Sequence, residues 1–237
     1  MREGADGRGP DFIGIGVQKA GTSWWYRLLC EHPEIGADAV VKERHFFDRF
    51  CAADFTERHA EEYRALFPAA LDARLGEWTP RYLYDPWVPP LLFRAAPDAK
   101  LLILLRDPVA RFESALTHNL RSAGFGDVAL AATDAFHRGR YGEQLQRLMY
   151  WFDSTRVLIL QYEQCVSDPA GELARTFAFL GVDPTYIPDV LTEPVRATIG
   201  GKIHVSESMR AVLQETYHAD RDLVASLAPE LDLGLWS

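Results

Sequence analysis

Apolar residues in this chain gather into short unbroken runs, and the stretches between them carry apolar positions at helical spacing. Phe12-Ile13-Gly14-Ile15-Gly16-Val17 is the first run. It ends in a polar, glycine-containing turn, after which Trp24 to Cys30 has helix-compatible spacing up to Pro33. Lys100-Leu101-Leu102-Ile103-Leu104-Leu105 reads as a strand buried on both faces, and Arg106-Asp107-Pro108 turns it into a helix with Pro108 in its first turn. A third buried strand is Arg156-Val157-Leu158-Ile159-Leu160-Gln161; Asp168-Pro169 then opens a helix over 170–180 that Gly181 ends. Further helices are predicted over 54–66, 109–120, 141–152 and 207–227, with a short strand over 75–77 and a bend at Trp87-Val88-Pro89-Pro90.

Strands alternating with helices predict an α/β fold, a central mostly parallel sheet flanked by helices. Such sheets bind ligands beyond the carboxyl ends of their strands. Gln18 to Ser23, Arg106 to Ser114 and the residues after Gln161 all fall on that edge.

A length of 237 residues suits one domain, expected over 11–237 behind a polar, glycine-rich and loosely ordered stretch over 1–10. The net charge of -9 argues against nucleic acid or an anionic membrane surface as partner, because the summed field repels a phosphate polymer. A small anion needs only local cations. Cys30, Cys51 and Cys165 have no CxxC spacing, so neither a disulfide framework nor a zinc site is indicated, and a reducing cytoplasm is the expected location. The first residues lack the apolar stretch of a signal peptide, and no later run is long enough to span a bilayer.

The turn after the first strand carries the clearest chemistry. A loop entering a helix offers unpaired N–H groups and the positive end of the helix dipole. Gly21 allows close backbone approach, Lys19 adds a charge, and Thr22 and Ser23 add hydroxyl donors, so each stabilises anionic oxygen. A nucleoside-triphosphate loop needs a lysine between its last glycine and the hydroxyl residue, yet Thr22 follows Gly21 directly. A dinucleotide fingerprint begins at Gly14-Ile15-Gly16, but Lys19 stands where its third glycine belongs. After the next strand, Arg106 and Ser114 can face the same crevice and clamp a second phosphate, the arginine through its planar fork.

Gly16-Val17-Gln18-Lys19-Ala20-Gly21-Thr22-Ser23 resembles the 5′-phosphosulfate loop of sulfotransferases that use 3′-phosphoadenosine 5′-phosphosulfate (PAPS). Leu105-Arg106-Asp107-Pro108 through Arg111 and Ser114 resembles their 3′-phosphate motif, RDPxxRxxS. The heparan-sulfate-type branch and its small bacterial relatives are the most similar, because Lys42-Glu43-Arg44-His45-Phe46-Phe47-Asp48 resembles their KExHFFD segment and Glu77-Trp78-Thr79-Pro80-Arg81-Tyr82-Leu83 their EKTPxYL segment. Gly200-Gly201-Lys202-Ile203-His204 resembles the loop that closes over the donor's 3′-phosphate, with lysine in place of the usual arginine. The resemblance implies a P-loop-like sulfotransferase fold, PAPS as donor with PAP as product, and no required metal.

It also implies roles. Gln18, Lys19, Ala20, Gly21, Thr22 and Ser23 hold the 5′ end, Arg106 and Ser114 the 3′-phosphate, and Gly200 to His204 the cover. Glu43 is the expected base, with His45 orienting it or replacing it, and Lys19 stabilises the leaving group. Glu43, His45 and Asp48 also admit a metal-ligand reading, but without a defined ligand spacing. Lys42, Trp78, Thr79, Pro80 and Tyr82 are the expected acceptor contacts. Trp78 replaces the lysine of the EKTPxYL pattern, which weakens transfer of a heparan-like substrate; its indole either stacks on the acceptor or packs in the core. Tyr141, Tyr150 and Trp151 fit an aromatic helix of the family or an ordinary buried face, and Arg138, Arg140 and Arg147 either meet an anionic acceptor or coat a helix.

The expected reaction is sulfuryl transfer to a hydroxyl or amino group of a small carbohydrate or natural product, in a possible homo-oligomer or with a pathway partner. Alternatives are a P-loop phosphotransferase and a non-catalytic PAP-binding domain.

Overall fold

The structure is a computed structural model that describes residues 7–36, 42–69, 72–122, 127–192 and 201–236. Four parallel strands form one sheet: β1 (Phe12–Gly16), β2 (Gly76–Trp78), β3 (Lys100–Leu105) and β4 (Val157–Gln161), in the spatial order β2-β1-β3-β4. Helices connect them: α1 (Thr22–Cys30), α2 (Glu57–Arg64), α3 (Val88–Ala95), α4 (Pro108–Ser122), α5 (Val128–His137), α6 (Tyr141–Met149), α7 (Tyr162–Ser167), α8 (Pro169–Leu180) and α9 (Glu207–Leu227). Leu101 to Leu105 of β3 are fully buried, as a central strand covered on both faces requires.

Gly14 and Trp78 are register partners across β1 and β2, and a methyl group on Gly14 would overlap the Trp78 indole. The missing side chain at one position therefore makes room for the largest one at the next. A second cluster, built on Val109, Phe112, Leu116, Ala131, Leu213 and Tyr217, packs α4, α5 and α9 together beside the main core.

Two local expectations change. Trp87 to Pro90 is the start of α3, with its prolines in the first turn, where a missing N–H breaks no helical bond. α5 was not anticipated, although Asp127 caps it by accepting from Ala129 N and Leu130 N. At the start of the described residues Gly7 bridges Pro68, and Arg8 N donates to the Phe67 carbonyl at 3.1 Å.

Candidate active site

β1 delivers the chain into the turn Gln18–Ser23. Lys19 adopts a left-handed backbone (φ 72°), and so does Gly21 (φ 91°), which precedes the first turn of α1 without a side-chain cap. The N–H groups opening α1 thus remain available to an anion. A side chain on Gly21 would also press into the Tyr162 ring, 2.9 Å away. Ala20 and Thr22 are buried, Gln18 and Lys19 half-buried, and Ser23 exposed.

Arg106 leaves β3 beside this turn. Its Nη1 lies 3.5 Å from the Lys19 carbonyl, its guanidinium sits 4.6 Å over the Tyr162 ring, and its buried Nε has no partner. Asp107 makes no ion pair with it and instead accepts from Ala110 N at 2.8 Å, capping α4. Ser114 is buried on α4, and His118, one turn on, lies close enough to Lys19 for that charge to help burial lower the imidazole's pKa. Arg111 of the same motif points inward to the Ala135 carbonyl and acts as a strut to α5.

Gly201 to His204 return over α4. Ile203 N donates to Thr117 Oγ1 at 2.9 Å, and buried Glu113 accepts from Val205 N at 3.1 Å and from Arg210 Nη2 at 2.8 Å, with His204 Nδ1 at 3.2 Å. This latch brings Lys202 toward Lys19. Burial lowers the Lys19 pKa most, and the charges of Arg106 and Lys202 lower it further. Among the described residues no carboxylate pairs with Lys19, Arg106 or Lys202. Gly200 lies outside the described residues.

The second group centres on His45, whose Nδ1 is 2.9 Å from Asp48 Oδ2 and whose Nε2 is 3.2 Å from Glu43 Oε2. Lys42 pairs with the other oxygen of Glu43. Beneath them Thr79 Oγ1 accepts from Arg44 N at 3.0 Å and donates to Glu77 Oε2 at 2.6 Å, and Tyr82 Oη accepts from Phe46 N at 2.9 Å. Burial raises the Glu77 pKa, a shift opposed by hydrogen bonds from Thr79, Tyr63 and Arg44 N.

Thr79, Pro80 and Tyr82 are buried and shape the loop from inside. Trp78 is fully buried too, with its indole N–H on the Gly16 carbonyl at 3.2 Å and its main-chain N on the Lys42 carbonyl at 2.6 Å. It ties the Glu43 segment to the end of β1, so both residue groups occupy the carboxyl edge of the sheet. Tyr141 is also a support: its hydroxyl donates to the Arg106 carbonyl at 3.0 Å.

Tyr162, Glu113, Thr117 and His118 were not anticipated from the sequence. They buttress or latch the site from positions whose own spacing suits an ordinary helix. Asp48 carried only a metal-ligand alternative, yet it holds His45, and Arg81 Nε lies 3.9 Å from its Oδ2. Among the described residues no group of three or more His, Cys, Asp or Glu side chains is arranged to hold a metal.

A parallel sheet with an uncapped, lysine-bearing turn beyond its first strand and an arginine beyond the next defines the P-loop-like sulfotransferase fold. The chain belongs to the sulfotransferase family: the family's sulfotransferase domain matches residues 9–199. Human heparan sulfate glucosamine 3-O-sulfotransferase 3B1 is 34% identical over 191 residues, 73% of this chain and 46% of the relative. Human heparan sulfate glucosamine 3-O-sulfotransferase 6 is 33% identical over 189 residues, 74% and 53% of the two chains. The chain spans about half the length of these curated relatives. The crystal structure of a sulfotransferase from Alicyclobacillus acidocaldarius superposes with a TM-score of 0.77 at 26% identity, covering 96% of this chain and 98% of that one. Mouse sulfotransferase SULT7A1, solved in complex with PAP, shares the fold at a TM-score of 0.51 and 17% identity, over 89% of this chain and 64% of its own.

Proposed function

We propose that the protein transfers a sulfuryl group from PAPS to a hydroxyl or amino group of a small carbohydrate or natural product. The observation that carries this reading is the convergence of Lys19, Arg106 and Lys202, with which no carboxylate pairs among the described residues. Three cations gathered around an uncapped helix start suit a ligand with anionic groups at both ends.

The residues present fit that donor. Gln18 to Ser23 would hold its 5′ end through backbone N–H groups, Lys19 and the Thr22 and Ser23 hydroxyls. Arg106, with its Nε unpartnered, and Ser114 would hold the 3′-phosphate beneath Gly201 to His204. When bound, PAPS supplies the sulfuryl group and an oxygen that takes up charge as transfer proceeds.

Glu43 is the proton acceptor in this reading. Its carboxylate is exposed enough to meet an acceptor hydroxyl, and Lys42 and His45 each hold one of its oxygens. Asp48 fixes the opposite nitrogen of His45, orienting the imidazole toward Glu43. Lys19 answers charge that develops on anionic oxygen, and its relief from repulsion by Arg106 and Lys202 grows with that charge.

Thermal denaturation with PAP, compared with ATP plus magnesium, tests the reading. PAP alone is expected to stabilise the protein. Stabilisation only by ATP and magnesium would assign a phosphotransferase, and PAP binding without turnover of any acceptor would leave a binding domain.

A further inference from the structure

A cavity of about 530 Å³ opens beside the Glu43 group, with Arg81, Arg138, Arg140, Arg147, Tyr84 and Trp87 in its wall. Arg81 joins the two, since Asp48 lies 3.9 Å from its Nε and also holds His45. Its four arginines make an anionic acceptor the first expectation. The pairing contradicts it.

Arg81 Nε sits 2.6 Å from Asp85, a carboxylate almost wholly buried. Arg138 Nε lies 3.0 Å from both oxygens of Asp134, and its guanidinium covers Tyr84 at 4.3 Å. Arg140 pairs with Glu143. Arg147 donates to the Leu83 and Tyr84 carbonyls at 3.0 Å each. Every guanidinium in the wall therefore has a protein partner, three of them a carboxylate and Arg147 only carbonyls, whereas among the described residues no carboxylate pairs with Lys19, Arg106 or Lys202. Among the described residues one molecule thus contains an anion site whose three cations lack a carboxylate and, beside it, a cavity in which three of four arginines have one, the fourth, Arg147, being held by carbonyls.

A carboxylate or sulfate entering this cavity would compete with Asp85, Asp134 or Glu143 for a guanidinium already held. A hydroxyl would not. An arginine paired through one edge keeps other N–H donors, and the half-exposed Glu143 keeps free lone pairs, so the Arg140–Glu143 pair offers both a donor and an acceptor, the two roles a hydroxyl plays. Trp87 adds an aromatic wall in a fixed orientation, its indole N–H on the Phe47 carbonyl at 3.2 Å. The net charge of -9 disfavours approach of a polyanion, and position 78 carries a buried indole instead of a cation.

We infer that this cavity receives an uncharged, hydroxyl-rich acceptor, a neutral glycoside or polyol, rather than the polyanion named in the heparan sulfate relatives. The inference rests on the sulfotransferase reading above, and PAP-induced stabilisation checks that reading separately. Protein that passes it is given labelled PAPS with a panel of neutral oligosaccharides and a size-matched uronate- and sulfate-bearing panel. At saturating PAPS, neutral sugars are expected to be sulfated, with rates changing less than about two-fold between roughly 50 and 300 mM salt, because an uncharged acceptor leaves little for ions to screen.

Glu143→Gln and Asp134→Asn each release one guanidinium and should raise the relative rate on uronate-bearing sugars about three-fold or more. Glu143 is half exposed, so its variant keeps the test open if Asp134→Asn folds poorly. Preference of the unaltered protein for the polyanion, with a steep loss in salt, overturns the inference. Turnover of neither panel by protein that binds PAP overturns it as well.

Discussion

His45 Nε2 lies 3.2 Å from Glu43 Oε2, with Asp48 2.9 Å from the other ring nitrogen. The imidazole thus spans two carboxylates, and it donates to both only when both nitrogens carry protons. His45 has a positive φ of 52°, so backbone geometry contributes to its placement. Glu43→Gln keeps the shape but removes the proton acceptor, and is expected to lower kcat about 10²- to 10⁴-fold. The PAP-induced shift in Tm should survive, because Glu43 takes no part in the Lys19 group. Asp48→Asn should cost about ten-fold in kcat by loosening the His45 ring, with donor Kd unchanged. Undiminished turnover in Glu43→Gln would move the base to His45 or to solvent.

Lys19 leads to a different expectation, in which binding and stability part company. Burial, then Arg106 and Lys202, hold its pKa below the ordinary lysine value of 10.5. The unfolded chain therefore keeps this proton to higher pH than the folded one. The charge opposes folding at neutral pH, and that opposition is relieved as pH rises through the lowered folded value toward the unfolded one. Lys19→Met should leave the ligand-free Tm at pH 7 equal or higher while abolishing stabilisation by PAP. In the unaltered protein, PAP affinity should begin to fall with pH before an ordinary lysine would titrate, and Lys19→Arg should remove that fall. A Lys19→Met protein that is strongly destabilised without ligand contradicts this account.

The parts of this molecule legible in the sequence are those set by local rules. Leu101 to Leu105 announced a central strand by continuous hydrophobicity, and Gln18 to Ser23 an anion turn by residue types that share one chemistry. Pro89 and Pro90 misled because proline punctuates both a bend and a first helical turn, and only the following Leu91 to Ala95 decides. Trp78 was ambiguous for a different reason. Whether an indole faces an acceptor or the core depends on Gly14, 64 positions earlier and adjacent only through strand pairing. Tyr162 and Glu113 act through partners distant in sequence, so no window around them carries the signal.

Glu113 is expected to govern donor affinity without touching the donor. It holds the segment after Lys202 through Val205 N and Arg210, while Thr117 holds Ile203. Glu113→Gln weakens the charge-assisted contacts and frees the cover, which should raise the Kd for PAP about ten-fold or more. kcat at saturating PAPS should change less, since the Glu43 group is untouched. Proteolysis within 201–206 should quicken in the ligand-free variant and slow again with PAP. Unchanged PAP affinity would show that Lys202 reaches its place without this latch.

Trp78 invites the substitution that the relatives suggest, and the structure predicts that it fails. The indole fills the space left by Gly14, donates to the Gly16 carbonyl at 3.2 Å, and sits on the strand whose N–H holds Lys42. Trp78→Lys would bury an ammonium among apolar neighbours or leave a cavity, costing about 3–5 kcal/mol. Trp78→Phe keeps much of the packing but strands the Gly16 carbonyl, costing about 1–3 kcal/mol. Chemical denaturation should rank the two in that order, and turnover should fall with stability as the Glu43 segment loses its anchor. Trp78→Lys should bring no use of polyanionic acceptors, because its side chain points into the core and away from the cavity beside Arg81. A stable Trp78→Lys protein that sulfates a polyanion would make position 78 an acceptor contact after all.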